Sequence, residues 1–154
     1  MEWQIKKILI GLDLDHDSKL KTLHKAIKMA EYSHAKLTVL YACPDYLANP
    51  MLGIFLTDEI LEKAQTQYQT QLEDLCKANI PKSVEWETAI GSCKGHKPYL
   101  CLTEKAKAEN FDLIVVGEHD RHGFDHIWLG SNAEKIMRYA PCTVMVVKNK
   151  ETED

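Results

Sequence analysis

The segment that decides the fold runs from Val115 to Lys148 and reads VVGEHDRHGFDHIWLGSNAEKIMRYAPCTVMVVK. An apolar strand ends at Gly117, a polar loop follows, and Gly130–Asn132 opens a short helix that leads to a second apolar strand. A glycine loop that enters a helix N-terminus is a common way to hold phosphate, because free backbone N–H groups and the helix dipole face the anion. Asp120 departs from this pattern, since it places a carboxylate in the loop.

Five short apolar runs lie along the chain, and short runs of this kind fit strands buried on both faces of a parallel sheet. The third run alternates apolar and polar residues, which suits an edge strand. The runs are Ile8–Leu12, Leu37–Ala42, Val84–Ala89, Leu113–Val116 and Thr143–Val147. Helical patterns separate them, so the sequence predicts an α/β fold with right-handed crossovers. We expect one domain over residues 1–148 and a charged tail over residues 149–154.

Four helices are predicted from apolar residues that recur at helical spacing and from capping residues. In the first helix the expected buried face is Leu20, Leu23, Ile27 and Ala30, with Asp17 or Ser18 as the N-cap. Thr57 precedes the second helix, whose apolar positions are Leu61, Ala64, Tyr68, Leu72 and Leu75. Pro98 suits the first turn of the third helix, which reaches to about Glu109. Ser131 and Glu134 have the spacing of a capping box for the fourth helix, which Pro141 ends.

Composition excludes several functional classes. The chain has 154 residues and a formal net charge of −4, which disfavours a nucleic-acid surface. We expect no membrane span, because about 18 consecutive apolar residues would be needed, and the N-terminus shows no signal-peptide pattern. The cysteines are odd in number and lack Cys-x-x-Cys spacing, which indicates reduced thiols and a cytoplasmic location. They are Cys43, Cys76, Cys93, Cys101 and Cys142.

The loops after the first and fourth strands are the candidate ligand site. In open α/β sheets, ligands bind at the carboxyl ends of the strands where the strand order reverses. If the five-stranded order is 3-2-1-4-5, the first and fourth strands are neighbours. The segments Asp13–Asp17 and Gly117–Gly130 then share one crevice.

These residues resemble the universal stress proteins, and the resemblance covers the chain from end to end. It is strongest at Lys6–Asp13, Phe111–Gly117, Leu129–Asn132 and Ala140–Val147. The resemblance implies a parallel sheet of order 3-2-1-4-5 with helices on both faces. It also implies a cytoplasmic homodimer joined by antiparallel pairing of Thr143–Val147, an apolar edge strand that would otherwise stay exposed.

The ATP-binding branch of that family carries Gly-x-x-Gly, nine residues, and then Gly-Ser or Gly-Thr. This chain keeps the spacing with Gly117, Gly130 and Ser131 but has Asp120 at the second glycine position. The resemblance implies that Asp13 contacts the nucleoside, that backbone at the glycines approaches the ligand, and that Ser131 and the Asn132 amide face the phosphates. Gly11, Ala42 and Val116 would line the nucleoside pocket.

Asp120 repels a polyphosphate unless its charge is compensated. Arg121 is adjacent and positive, Gly123 adds loop freedom, and a divalent cation such as Mg²⁺ or Mn²⁺ could bridge the carboxylate to phosphate oxygens. The sequence leaves ATP binding and a degenerate site that acts through protein contacts as alternatives. Ser131 could also be only a helix cap, the glycines only turns, and Asp13 only an acceptor for backbone N–H groups.

A metal site is a further hypothesis, because imidazole and carboxylate groups crowd the same two loops. They are Asp13, Asp15, His16, Asp17, His119, Asp120, His122, Asp125 and His126, in no defined metal motif. Cys93 lies near Lys94 and His96, a setting that can lower a thiol pKa. The long apolar connection over residues 43–56 could be a lid, a subunit contact or a segment folded over the core. No catalytic motif appears, so we expect a non-enzymatic protein.

Overall fold

Strands and helices alternate along the chain in this computed structural model, which describes residues 2–15, 17–42, 57–91, 97–118 and 131–148, the side chain of Ser131 excepted. The elements are β1 (Lys7–Leu12), α1 (Lys19–Ser33), β2 (Lys36–Tyr41), α2 (Asp58–Asn79), β3 (Trp86–Ile90), α3 (Pro98–Ala108), β4 (Leu113–Gly117), α4 (Ser131–Tyr139) and β5 (Thr143–Val147). The predicted α/β fold is therefore confirmed.

The sheet has five parallel strands in the order β3-β2-β1-β4-β5, as predicted. β1 lies at the centre, and its Ile10 aligns with Val39 of β2 on one side and Val115 of β4 on the other. β3 is an edge strand, as its alternating pattern indicated. Its bounds differ from the prediction, because Val84 lies in a turn in which its N–H donates to the Pro81 carbonyl at 3.1 Å.

Two apolar layers cover the sheet, one on each face. On the first face, Ile8 and Ile10 pack with residues of α1 and α2, including Leu23 and Leu72. On the second face, Leu9 packs with residues of α3 and α4, which are Leu102, Ala106, Ala133 and Ile136. Successive strand residues point to opposite faces, so each strand contributes to both layers. Helices therefore cover both faces of the sheet, and a ligand site can form at the carboxyl ends of the strands.

The buried face of α1 differs in part from the prediction. Leu23, Ile27 and Ala30 are buried as expected, but Leu20 is 40% exposed, so its assignment to the core was wrong. Thr22 and Ala26 complete the buried face instead, since the 3.6-residue period places them beside Leu23 and Ile27.

Capping also follows the sequence only in part. The Thr57 side chain accepts the Ile60 N–H at 3.3 Å, and Pro98 occupies the first turn of α3, as predicted. Ser18 is the N-cap of α1, yet within the described start of this helix its side chain caps no backbone N–H. The side chain of Ser131 lies outside the described residues, so the capping box of α4 stays a prediction. Within α4, Glu134 pairs with Arg138 at 3.7 Å.

Among the helices of the described ranges, none is long and apolar enough to cross a membrane.

Gly117, the last residue of β4, allows α1 to pack closely against the sheet. A Cβ atom at this position would lie 2.7 Å from Oγ1 of Thr22, which is 2% exposed. The Thr22 hydroxyl donates to the Ser18 carbonyl at 3.3 Å, so it belongs to the first turn of α1. The φ angle of Gly117 is outside the left-handed region, so a turn does not explain this glycine. Close packing against Thr22 does.

Gly117→Ala should therefore lower the free energy of unfolding by about 1–3 kcal/mol, the usual penalty for overpacking a buried site. Thr22→Ala removes the opposing oxygen, so the double variant Gly117→Ala/Thr22→Ala should recover part of this loss relative to additivity. Urea denaturation of the four proteins measures the coupling. Additive effects of the two substitutions would contradict the contact.

Cys76 of α2 should be chemically inert in the folded protein. Its side chain is 0% exposed, and burial, aided by the charge of Glu73, raises the pKa of its thiol to about 12. At pH 8 only about one thiol in 10⁴ would then be the reactive thiolate. Iodoacetamide followed by peptide mass spectrometry should detect Cys76 alkylation in urea but almost none in buffer. Rapid labelling of Cys76 in the native protein would contradict its burial.

Candidate functional site

The carboxyl ends of β1 and β4 lie side by side and form the candidate site. Gly11 of β1 aligns with Val116 of β4, and both strands point toward the same edge of the sheet. The chain passes from β1 to β2 on one side and later returns to β4 on the other, so the strand order reverses here. Such a switch point leaves a crevice between the two following loops.

A small hollow opens at this edge, with an empty volume of about 210 Å³ that includes space open to solvent. It brings together three of the predicted site residues, Gly11, Asp13 and Gly117. The other lining residues are Leu12, Ser18, Lys19 and Thr22. Sequence reasoning missed the last three as site residues. The sequence feature that could have identified these three residues is their position at the start of α1, directly after the loop that follows β1.

Asp13 is held by a short turn. Its Oδ1 accepts the backbone N–H of Asp15 at 3.0 Å, which is the alternative that the sequence left open for this carboxylate. Asp15 in turn accepts a hydrogen bond at 3.4 Å from the hydroxyl of Tyr41, which ends β2. Burial, together with the nearby Tyr68 and the carboxylates of Asp15 and Asp13, raises the pKa of Tyr41, so its hydroxyl stays protonated. Tyr41 had no signal in the sequence beyond its place at a strand end.

Three residues predicted to line the pocket, Gly11, Val116 and Ala42, lie in close contact with the residues packed beneath the crevice. A Cβ atom on Gly11 would lie 2.7 Å from Cδ1 of Leu102 and 3.3 Å from Cγ1 of Val116. Val116 itself is 5% exposed, so its side chain belongs to the core. Ala42 directly follows β2, and its Cα is 3.2 Å from where a Cβ of Gly91 would stand. Gly11 and Val116 could therefore offer a ligand mainly backbone.

The N-terminus of α4 faces the same edge. β4 and β5 are parallel, so α4 must run back against them, and its first residue lies near the carboxyl ends of the strands. Asn132 of this first turn is half-buried, and Ala133 is buried against the sheet. Free N–H groups of the first turn give this end a partial positive charge. Asp120, Gly130 and the side chain of Ser131 lie outside the described residues, so their roles stay predictions.

Glu118 is a second carboxylate at this edge, and the sequence analysis did not single it out. It is 8% exposed, and its backbone N–H donates to the Val147 carbonyl at 2.8 Å, which extends the pairing of β4 with β5 by one residue. The described charges that line the hollow are mixed, with Asp13 negative and Lys19 positive.

Most of the residues that the metal and cysteine hypotheses concern lie outside the described residues. Asp13, Asp15 and Asp17 are described, whereas His16, His119, Asp120, His122, Asp125 and His126 are not. Within the described part of the chain, no group of three metal-type side chains comes together. Among the described residues, Cys76, Cys101 and Cys142 form no disulfide bond. Cys43, Cys93 and the apolar connection over residues 43–56 lie outside the description.

Solved structures share this architecture. The universal stress protein of Archaeoglobus fulgidus in complex with dAMP has a TM-score of 0.63 and 18% identity, and the match covers 96% of this chain and 100% of that one. A universal stress protein in complex with cAMP has a TM-score of 0.61 and 23% identity, with 94% and 98% covered. At these identities the likeness shows a common fold.

Sequence comparison supplies the family. The model of the universal stress protein family matches residues 4–148. Universal stress protein A homolog 2 of Coxiella burnetii is 28% identical over 151 residues, which is 94% of this chain and 96% of that protein. Both matches therefore extend over nearly the whole length of the chain. The chain belongs to the universal stress protein family.

Proposed function

We propose that this universal stress protein binds an adenine nucleotide in the crevice after β1 and β4 and acts without catalysing a reaction. The proposal rests on the parallel pairing of β1 with β4, which brings Asp13, Gly117 and the N-terminus of α4 together at the carboxyl ends of these strands. Two proteins of the same fold are in complex with cAMP and dAMP, which supports an adenine ligand.

Each proposed contact uses a different property of the crevice. Asp13 would accept hydrogen bonds from the nucleoside, while backbone at Gly11, Ala42 and Val116 forms the pocket wall. Gly117 and Gly130 would let the backbone approach the phosphates. The amides of Ser131 and Asn132 would then donate to phosphate oxygens at the start of α4, with the Ser131 hydroxyl as a further donor.

Asp120 sets the charge requirement of the proposed ligand. A like-charge pair about 4 Å apart costs about 4 kcal/mol at an effective dielectric of about 20. We therefore expect ATP to bind with Mg²⁺ or Mn²⁺, since a hard divalent cation can bridge carboxylate and phosphate oxygens.

The second candidate function is a degenerate crevice in a protein that acts through protein contacts. The packing of two glycines favours it, because a Cβ atom on Gly11 or Gly117 would lie 2.7 Å from Leu102 or Thr22, respectively, so both glycines are needed even without a ligand. The two functions differ in one measurable property, nucleotide affinity.

A homodimer through β5 and a cytoplasmic location complete the proposal. β5 is an edge strand whose residues Val144–Val146 are only half-buried in the single chain. An open edge with apolar side chains is a template for pairing with a second copy. Antiparallel pairing of two β5 strands would cover this edge.

Isothermal titration of the wild-type protein with ATP and Mg²⁺ should give saturable binding, weaker without the cation. In the absence of the cation, Asp120→Gly should tighten ATP binding, because it removes both the bulk and the charge at the position of the second motif glycine. Asp120→Asn removes the charge alone and separates the two effects. Asp74→Asn, at an exposed position of α2, controls for net charge. Wild-type protein that shows no binding at millimolar ATP would rule out the nucleotide function.

Val146→Asp should convert the dimer to a monomer, since antiparallel pairing would bring the new charges of two strands close together. Sedimentation velocity measures the mass of the species, and circular dichroism checks that the variant keeps its secondary structure. Thr70→Asp, on the exposed surface of α2, is the matched control and should remain dimeric. A folded Val146→Asp variant that stays dimeric would place the interface elsewhere.

A further inference from the structure

Tyr41 joins the core to the turn that carries Asp13. The ring is 2% exposed at the end of β2, and its centroid is 4.8 Å from that of Tyr68 on α2, with the planes tilted by 53°. A buried hydroxyl needs a hydrogen-bond partner. The Tyr41 hydroxyl donates to Oδ2 of Asp15 at 3.4 Å, and the Tyr68 side chain is a second hydrogen-bonding neighbour.

The turn above Tyr41 needs such an anchor. Asp15 is exposed and lies in a turn, so its carboxylate could be solvated by water in many orientations. Its backbone N–H donates to Oδ1 of Asp13 at 3.0 Å. Asp13 and Asp15 carry like charges close together, which opposes this compact arrangement unless donors offset it. The Tyr41 hydroxyl donates to the Asp15 carboxylate, and the Asp15 N–H donates to the Asp13 carboxylate.

We propose that Tyr41 is a positioning residue, whose hydroxyl anchors the turn Asp13–Asp15 through the Asp15 carboxylate and so fixes the orientation of Asp13 toward the crevice. The constraint runs from Tyr41 to the turn, because the buried ring is held by the core whereas Asp15 is at the surface. The consequence for binding rests on the proposed nucleotide function. A carboxylate that is already oriented loses less freedom when the ligand binds.

Tyr41→Phe tests the anchor without a ligand, because it removes the hydroxyl and keeps the buried ring. Amide hydrogen exchange at Asp15 should become about two- to tenfold faster, the range expected for the loss of one modest hydrogen bond. Exchange in the central strand β1 and the melting temperature should change little, since Asp15 can be solvated by water. Tyr32→Phe, at a site 88% exposed on α1, is the control and should leave Asp15 exchange unchanged.

The same variant tests the effect on the ligand. Tyr41→Phe should raise the Kd for ATP with Mg²⁺ by about two- to tenfold. Asp15→Ala removes the acceptor, so the double variant Tyr41→Phe/Asp15→Ala should be no weaker than Asp15→Ala alone. A purely structural role of Tyr41 would instead lower stability and give additive effects on Kd.

The outcomes separate this inference from the proposed function. If the wild-type protein binds no nucleotide, the proposed function fails, and hydrogen exchange at Asp15 still decides whether the anchor exists. If nucleotide binds but Tyr41→Phe leaves both Asp15 exchange and Kd unchanged, the anchor is wrong and the function stands. Additive effects of Tyr41→Phe and Asp15→Ala on Kd would also overturn it.

Discussion

The parallel pairing of β1 with β4 is the constraint on which the rest of the structure depends. β1 pairs with β2 on its other side, so it forms the centre of the sheet and the point where the chain changes its direction of growth. The loops after β1 and β4 must then diverge, one toward α1 and the other toward α4. The crevice is a consequence of this topology before any side chain is considered.

The glycines at the crevice are needed for helix packing, whether or not a ligand binds. Gly117 admits Thr22 of α1, and Gly11 admits Leu102 of α3, so both helices approach the central strands closely. A protein with no ligand would still need these glycines. The presence of Gly117 in a phosphate-type pattern is therefore weak support for binding. The residues that distinguish a nucleotide-binding crevice from a degenerate one are Asp13, Asp120 and those at the start of α4.

Most of the fold could be predicted from the sequence because it follows from local patterns. Short apolar runs between amphipathic helices dictate parallel strands, and the resemblance carried by Lys6–Asp13 and Ala140–Val147 supplied their order. Predictions were wrong where tertiary packing determines burial or a strand boundary. Leu20 is exposed, and Val84 lies in a turn before β3. Such choices depend on which neighbouring surface is available, and a single sequence does not contain that information.

The site was less predictable for the same reason. Gly117 was found because it belongs to a spaced motif, and Gly11 and Asp13 were found through the family resemblance. The three residues do share one hollow. Tyr41, Thr22 and Glu118 were missed, since each gains its role from residues distant in the chain: Asp15, Gly117 and Val147. Long-range contacts of this kind leave no periodic signal. They nevertheless determine how the motif residues are held.

Nucleotide binding in the crevice after β1 and β4 can be tested by chemical-shift mapping of ¹⁵N-labelled protein with ATP and Mg²⁺, since this measurement reports where the ligand binds as well as whether it binds. The largest amide shifts should fall at Asp13, Gly117 and Asn132, near the carboxyl ends of β1 and β4. Amides of β3 at the far edge of the sheet should stay nearly constant. No shifts at millimolar ATP, or shifts centred on β3, would contradict the account.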